Sequence, residues 1–192
     1  MSRALFVVDV QNDFTEHGAL GVVGGDEVAE RISRFLQSHA GDYEIVVASR
    51  DWHDADNDNG GHFAAEPDFV DTWPVHCVGG TAGAEYDEGF DTSAVTHHLK
   101  KGQGKPAYSL FEGVADDGTS AAELLERHGI IDIDVVGLAT DYCVRASALD
   151  AIENGRRVRV FTDLVAGVHP DSSGKALAEI AHAGAELVES GD

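Results

Sequence analysis

The amino-acid sequence predicts an α/β fold in which helices cover both faces of a mainly parallel sheet. Two observations lead to this prediction. Segments typical of strands alternate with segments typical of helices, and the strand segments are continuous apolar runs rather than strict alternations of apolar and polar residues. The chain has 192 residues, enough for one domain with a substantial core, so we expect a single domain over residues 1–192.

The first half of the chain is predicted to contain two strands and one helix. The apolar run ALFVVDV predicts a buried strand over 4–10, and YEIVVAS predicts a second strand over 43–49. Between them, apolar residues recur at helical spacing and predict an amphipathic helix over 25–41. A long loop rich in Asp, Gly, His, Pro and Trp follows, over about 50–83.

The second half alternates more regularly. In chain order it is predicted to contain a helix over 119–129, a strand over 132–139, a helix after Cys143, a strand over 156–164, a helix over 172–184 and a strand over 185–189. In parallel sheets the functional sites lie beyond the carboxyl ends of the strands. Asp9, Asp51 and Cys143 all stand at or just past such ends, which makes them candidates for function.

The charge of the chain excludes several classes of partner. There are 35 acidic and 13 basic residues, giving a net charge of −22, so nucleic acid and anionic membranes would be repelled. No apolar stretch is long enough to span a membrane and the start lacks the features of a signal peptide, so we expect a cytoplasmic protein. The acidity indicates either an ordinary solvated surface or a halophilic protein built for high salt, and we favour the second.

Cys143 falls at the start of a predicted helix, and it is one of only two cysteines. Free backbone N–H groups and a partial positive charge at a helix start favour a thiolate and can bind an oxyanion. The alternative is a small buried side chain that packs under the helix. The other cysteine, Cys77, lies in the long loop, and we expect both thiols to be reduced.

Asp9 ends the first predicted strand, where a buried carboxylate needs a partner. It is either a general base near the thiol or a turn residue that binds the backbone of residues 11–13. A base in this position would require a nearby cation. Lys101, which precedes Gly102, is the better candidate, whereas Lys100 is expected to lie in a solvated turn.

The long loop contains a set of residues typical of transition-metal sites. Asp51 and His53 stand two apart, which places both on one side of an extended segment, and His62 and His76 follow. The alternative is that these loop histidines are merely exposed. The remaining histidines are expected at the surface: His17, His39, His97, His98, His128, His169 and His182.

Taken together, five segments resemble those of the nicotinamidase/pyrazinamidase family of isochorismatase-like cysteine hydrolases. They occur in order along nearly the whole chain: DVQNDF, RDWH, WPVHCVGGTAGAE, KG…AYSLFEG and GLATDYCVRASALDA. The resemblance implies a three-layer α-β-α fold with six strands. It also implies hydrolysis of nicotinamide to nicotinate and ammonia, and of pyrazinamide-type analogues, through a cysteine thioester in NAD salvage.

The resemblance further implies roles for individual residues. Cys143 would be the nucleophile, Asp9 the general base and acid, and Lys101 the third member of a triad. The N–H groups of Ala139 and Cys143 would form an oxyanion hole, with a cis peptide at Leu138–Ala139. The implied metal ligands are Asp51, His53 and His76, with His62 as a candidate fourth, and the implied pocket residues are Phe14, Trp73, Tyr108 and Tyr142.

The implied cofactor is one divalent transition metal, with zinc as the first choice and iron or manganese as alternatives. The implied partner is a small-molecule substrate, nicotinamide, and the question of a homo-oligomer stays open. Two other functions also stay open. One is a related carboxamide or carbamoyl amidohydrolase of the same family, and the other is a non-catalytic metal-binding protein.

Overall fold

A computed structural model describes residues 2–191, which form a six-stranded sheet with the strand order β3-β2-β1-β4-β5-β6. The strands are β1 (Arg3–Val8), β2 (Ile45–Asp51), β3 (His97–Lys101), β4 (Asp132–Leu138), β5 (Arg157–Ala166) and β6 (Glu186–Val188). The helices are α1 (Gly25–His39), α2 (Ala121–Arg127), α3 (Arg145–Glu153) and α4 (Pro170–Ala183). All five pairings between neighbouring strands are parallel.

Helices lie on both faces of this sheet, which confirms the three-layer α-β-α prediction. Helix α1 packs through Ile32 and Phe35 on the face that presents Leu5 and Val7 of β1. Helices α2, α3 and α4 contribute to the core on the opposite face. Strand β1 lies in the middle, and its residues from Ala4 to Val8 are fully buried, as expected for an apolar run in a parallel sheet.

The edge strand β3 is the element that the residue pattern did not predict. Its sequence HHLKK contains a single apolar residue, Leu99, so it shows neither an apolar run nor an alternation. It forms by parallel pairing with β2, from Val47 opposite His97 to Asp51 opposite Lys101.

Lys100 therefore lies on a strand, and the expectation of a solvated turn is wrong. Its ammonium group lies 2.8 Å from the carboxylate of Asp116 and 4.7 Å from the centre of the Trp52 ring. The pairing of β3 with β2 fixes this position, and the lone Leu99 in HHLKK gave no sign of it.

A close approach between β1 and β4 places the two central strand ends side by side. Val8 of β1 is in register with Gly137 of β4. Gly137 has a φ of 115°, and a Cβ at this position would lie 2.1 Å from the carbonyl oxygen of Val8. Only glycine fits this position, and the residues that follow the two strands, Asp9 and Ala139, emerge at the same edge of the sheet.

None of the helices among residues 2–191 combines the length and the apolar character that crossing a membrane would require.

Candidate active site

Three of the predicted residues meet beyond the carboxyl ends of the strands. Asp9 follows β1, Lys101 is the last residue of β3, and Cys143 lies in the helical turn between β4 and α3. The ammonium nitrogen of Lys101 lies 2.9 Å from the carboxylate of Asp9 and 3.7 Å from the sulfur of Cys143. It also contacts the carboxylate of Asp51 directly. All four side chains are buried.

The charges of this group follow from burial and from mutual attraction. Burial alone would lower the pKa of Lys101, but attraction to Asp51 and Asp9 outweighs it and raises the pKa well above its usual range. Burial likewise raises the pKa of Asp9, against the opposing effect of Lys101. For Asp51, Lys101 and the neighbouring imidazoles outweigh burial, so its pKa lies below the ordinary value.

The thiol of Cys143 differs from the expectation drawn from its place at a helix start. Burial raises its pKa well above the usual range, and the attraction of Lys101 does not offset this effect. The prediction of a thiolate favoured by the helix start is therefore wrong for this buried side chain. The sulfur keeps its proton until a base removes it, and an oxygen of Asp9 lies within 4.8 Å.

The segment that precedes the thiol has the backbone expected of an oxyanion site. The Leu138–Ala139 peptide is cis, as the resemblance implied. The carbonyl of Ala139 accepts hydrogen bonds from the N–H groups of Tyr142 and Val144, both at 3.1 Å, and so fixes the turn. Ala139 and Cys143 both line the cavity described below.

The four predicted metal ligands also come together. One ring nitrogen each from His53, His62 and His76 lie within 4.8 Å of one another. A carboxylate oxygen of Asp51 lies 3.7 Å from Nε2 of His53 and 3.8 Å from Nε2 of His76. The other oxygen of Asp51 contacts Lys101, so Asp51 joins the three histidines to the group around the thiol.

Hydrogen bonds to backbone carbonyls prepare these histidines for a metal. Nδ1 of His53 donates to the carbonyl of Gly102, and Nδ1 of His76 donates to that of Pro74, both at 2.8 Å. Each Nε2 therefore keeps its lone pair. Among the described residues, neither Nε2 of His53 nor Nδ1 of His62 has a hydrogen-bond partner, although both atoms are buried.

The protonation states of the histidines agree with a metal-binding role. Burial, together with the neighbouring His53 and His76, lowers the pKa of His62 to about 4, and burial also lowers the pKa of His76. His62 and His76 are therefore neutral near pH 7, which is the form of imidazole that binds metals. One carboxylate and three imidazoles suit a divalent transition metal.

A cavity of about 490 Å³ connects the thiol with the histidines. All four side chains predicted to bind substrate line it: Phe14, Trp73, Tyr108 and Tyr142. The Trp73 indole donates a hydrogen bond of 3.0 Å to the Tyr108 hydroxyl, and its ring meets that of Tyr142 edge-on with centroids 5.0 Å apart. These contacts hold three aromatic rings as one wall.

Several residues at the site had no predicted role. The hydroxyl of Ser49 donates a 2.7 Å hydrogen bond to Asp9, and the only sequence signal was its position near the end of a strand. Leu20, Val22, Phe69 and Val168 line the cavity but belong to loops without a recognisable pattern. His169 was expected at the surface; it is exposed and also lines the cavity.

Comparison with known proteins decides the family. Residues 3–192 match the family described as the isochorismatase domain. The chain belongs to the isochorismatase family. The chain is 48% identical to the nicotinamidase/pyrazinamidase of Mycobacterium tuberculosis. The alignment covers 97% of this chain and 98% of that relative.

Solved structures agree with this assignment. The pyrazinamidase of Pyrococcus horikoshii in complex with zinc superposes with a TM-score of 0.82 at 34% identity, covering 98% of this isochorismatase-family chain and 99% of its own. The protein PnC1 from L. infantum in complex with nicotinate superposes with a TM-score of 0.84, also at 34% identity, covering 98% and 93% of the two chains.

Proposed function

We propose that this chain is a nicotinamidase, which hydrolyses nicotinamide to nicotinate and ammonia and also accepts pyrazinamide-type analogues. The observation that carries the proposal is the buried contact of Lys101 with Asp9 and Cys143 at the base of an aromatic cavity. A non-catalytic metal-binding protein would have no need for this group. The nicotinamidase/pyrazinamidase of M. tuberculosis and the nicotinate complex of PnC1 support the choice of substrate.

The first half of the proposed reaction forms a thioester. Asp9 takes the proton of the Cys143 thiol, and the sulfur attacks the carboxamide carbon, whose oxygen becomes an oxyanion. The N–H groups of Ala139 and Cys143 donate to this oxyanion, a contribution of about 2.7–4 kcal/mol per donor. Asp9 then gives its proton to the departing nitrogen, the C–N bond breaks, and ammonia leaves.

The second half restores the enzyme. Asp9 takes a proton from a water molecule, whose oxygen attacks the thioester carbon. The C–S bond breaks, Asp9 returns its proton to the sulfur of Cys143, and the nicotinic acid formed loses its remaining carboxyl proton to solvent to give nicotinate. Throughout, Lys101 remains charged between Asp9 and Asp51, and so stabilises the ionised form of the thiol while the proton is on Asp9.

We further propose that Asp51, His53 and His76 bind one divalent transition metal, with His62 as the fourth protein ligand. The unpartnered ring nitrogens of His53 and His62 support this assignment. Zinc is the first choice, since it accepts this mixture of nitrogen and oxygen ligands and is present in the P. horikoshii pyrazinamidase. When bound, the metal supplies a Lewis acid at the cavity wall.

In this proposal the aromatic side chains Phe14, Trp73, Tyr108 and Tyr142 bind and orient the pyridine ring. Correct placement of the carboxamide near the sulfur is itself a large part of catalysis. The reaction is proposed to occur in the cytoplasm as part of NAD salvage. The two cysteines are free and buried, which suits a reducing compartment.

Ammonia release by the purified full chain tests the proposal. We expect release from nicotinamide and from pyrazinamide, and a much lower kcat/KM for a linear aliphatic carboxamide that cannot occupy an aromatic site. The reverse preference would favour a different amidohydrolase of the family. No release from any of the three amides would contradict the proposal of an amidase.

A further inference from the structure

Gln11 lies just beyond the end of the central strand, in the segment QND that the proposed reaction does not use. Strand β1 pairs with β2 as far as Val7, opposite Ala48. The backbone then turns away at Asp9, which has a φ of 47°. Gln11 is fully buried, although a primary amide is costly to bury without hydrogen bonds.

The amide of Gln11 is satisfied mainly by the backbone of Asp51. Its Oε1 accepts a 2.8 Å hydrogen bond from the N–H of Asp51, and its Nε2 donates a 2.9 Å hydrogen bond to the carbonyl of the same residue. Nε2 also donates to the carbonyl of Ala84 at 2.8 Å. The side chain thus pairs with Asp51 as a neighbouring strand would, at the point where β1 has left β2.

The pairing with Gln11 matters because the carboxylate of Asp51 faces both Lys101 and the histidines. One of its carboxylate oxygens contacts Lys101, and the other lies 3.7–3.8 Å from Nε2 of His53 and His76. A change in the backbone of Asp51 would move both oxygens together. The direction of this carboxylate therefore depends on a side chain that does not line the cavity and whose hydrogen bonds go to the backbone of Asp51 and Ala84.

We propose that Gln11 is a positioning residue that acts through Asp51 on two sites at once, the ammonium group of Lys101 and the group of histidines. This inference rests on the proposed reaction for its kinetic measurement and on the proposed metal site for its zinc measurement. A role confined to the stability of the fold would lower the melting temperature and leave the folded enzyme unchanged. A positioning role also changes the kinetics and the affinity for zinc.

Two substitutions test the proposal. Gln11→Met keeps the length and removes all three hydrogen bonds. Gln11→Glu keeps the shape and can accept from the N–H of Asp51, but as a carboxylate it donates to neither carbonyl. It provides a second folded variant if Gln11→Met fails to fold. Ser33→Ala is the matched control, because the buried hydroxyl of Ser33 bonds only Gly89 and Asp91, within the α1 face of the fold.

The measurements are the melting temperature, kcat and KM for nicotinamide, and the dissociation constant for zinc by chelator competition. Loss of a group that orients a metal ligand typically lowers affinity or activity by about 10- to 100-fold. We expect losses of this size in kcat/KM and in zinc affinity for both Gln11 variants. Ser33→Ala should change the melting temperature alone.

The outcomes separate this inference from the proposed function. Wild-type kinetics and zinc affinity in a folded Gln11→Glu or Gln11→Met protein would overturn the positioning role, whatever the melting temperature. If the wild-type protein released no ammonia from nicotinamide, the proposed function would fail. The zinc dissociation constants of the wild type and the two variants would still decide the role of Gln11.

Discussion

At the scale of single residues, the two thiols of this protein differ in access more than in acidity. Burial raises the pKa of both Cys77 and Cys143 well above the usual range. Cys143 lines the cavity, whereas Cys77 is fully buried in the core on the α1 face of the sheet. Its place at a helix start made Cys143 a candidate, and the family resemblance implied the role of nucleophile. The sign of its pKa shift depends on packing that no local pattern reveals.

We expect Cys143→Ala to reduce ammonia release from nicotinamide by about four orders of magnitude or more, because the variant lacks the nucleophile. Cys77→Ala should retain most of the activity and lose some stability, since it removes a buried side chain. Initial rates and thermal melts measure the two effects. Iodoacetamide should label Cys143 first, because the cavity admits the reagent. Undiminished ammonia release by Cys143→Ala would contradict the proposed mechanism.

The metal proposed at Asp51, His53 and His76 would position the substrate at the cavity wall. Its removal is expected to raise the KM for nicotinamide by about 10-fold or more, because that positioning contact would be lost. Zinc should restore the original value. His62→Ala should bind zinc more weakly than the wild type, whereas His182→Ala, at an exposed position on α4, should not. Metal analysis and steady-state kinetics provide the measurements. An unchanged KM for nicotinamide in the metal-free enzyme would contradict a role of the metal in substrate binding.

At the scale of elements, a single aspartate joins the helical turn that contains Cys143 to helix α4. Asp141 accepts hydrogen bonds from the N–H groups of Val168 at 3.0 Å and His169 at 3.3 Å, and from the hydroxyl of Ser172 at 2.6 Å. Residue His169 is the N-cap of α4 and makes no side-chain cap of its own. Asp141 thus stabilises the start of α4 from a neighbouring segment.

Asp141→Ala is therefore expected to lower the free energy of unfolding by about 1–3 kcal/mol, the usual effect of leaving several donors without a charged acceptor. It should also raise KM more than it lowers kcat, because Val168 and His169 line the cavity. Asp171→Ala, in the exposed first turn of α4, is the control. Equal effects of the two substitutions on KM would show that Asp141 does not hold the cavity wall.

The elements also show what sequence can predict. Within residues 2–191, apolar runs and helical spacing located five of the six strands and the four α-helices, because burial determines these patterns. Strand β3 escaped detection, since an edge strand that buries only Leu99 and Lys101 has almost no apolar pattern. The contact between Gln11 and Asp51 spans 40 residues of sequence, and it follows from the register of the strands rather than from local composition.

At the scale of the whole molecule, the acidic side chains are too numerous for the basic side chains to neutralise by ion pairing. With 35 acidic and 13 basic residues, one-to-one pairing would still leave 35 − 13 = 22 carboxylates unpaired. Several of the observed pairs are exposed, such as Arg31 with Glu27 and Arg34 with Glu30, and exposed pairs contribute little. Repulsion among the remaining carboxylates therefore depends on the salt concentration.

We expect the melting temperature to rise between dilute buffer and molar KCl. The Debye length falls from about 30 Å at 0.01 M to about 3 Å at 1 M, so each carboxylate then interacts only with its neighbours. Thermal melts across a KCl series at fixed pH measure the effect. A parallel series in sucrose stabilises by exclusion without screening and separates the two causes. A melting temperature that stays constant across the KCl series would mean that the acidic composition is not an adaptation to high salt.

The central place of β1 has a further consequence during synthesis. Arg3, at the start of the chain, is in register with Asp132 of β4. After Arg3, a ribosome that adds about 5–20 residues per second needs roughly 6 to 26 s to add the 132 − 3 = 129 residues up to and including Asp132. During this time one edge of a strand that is apolar from Ala4 to Val8 is unpaired and able to join another chain. The nascent protein is therefore most prone to aggregation before its own fourth strand has left the ribosome.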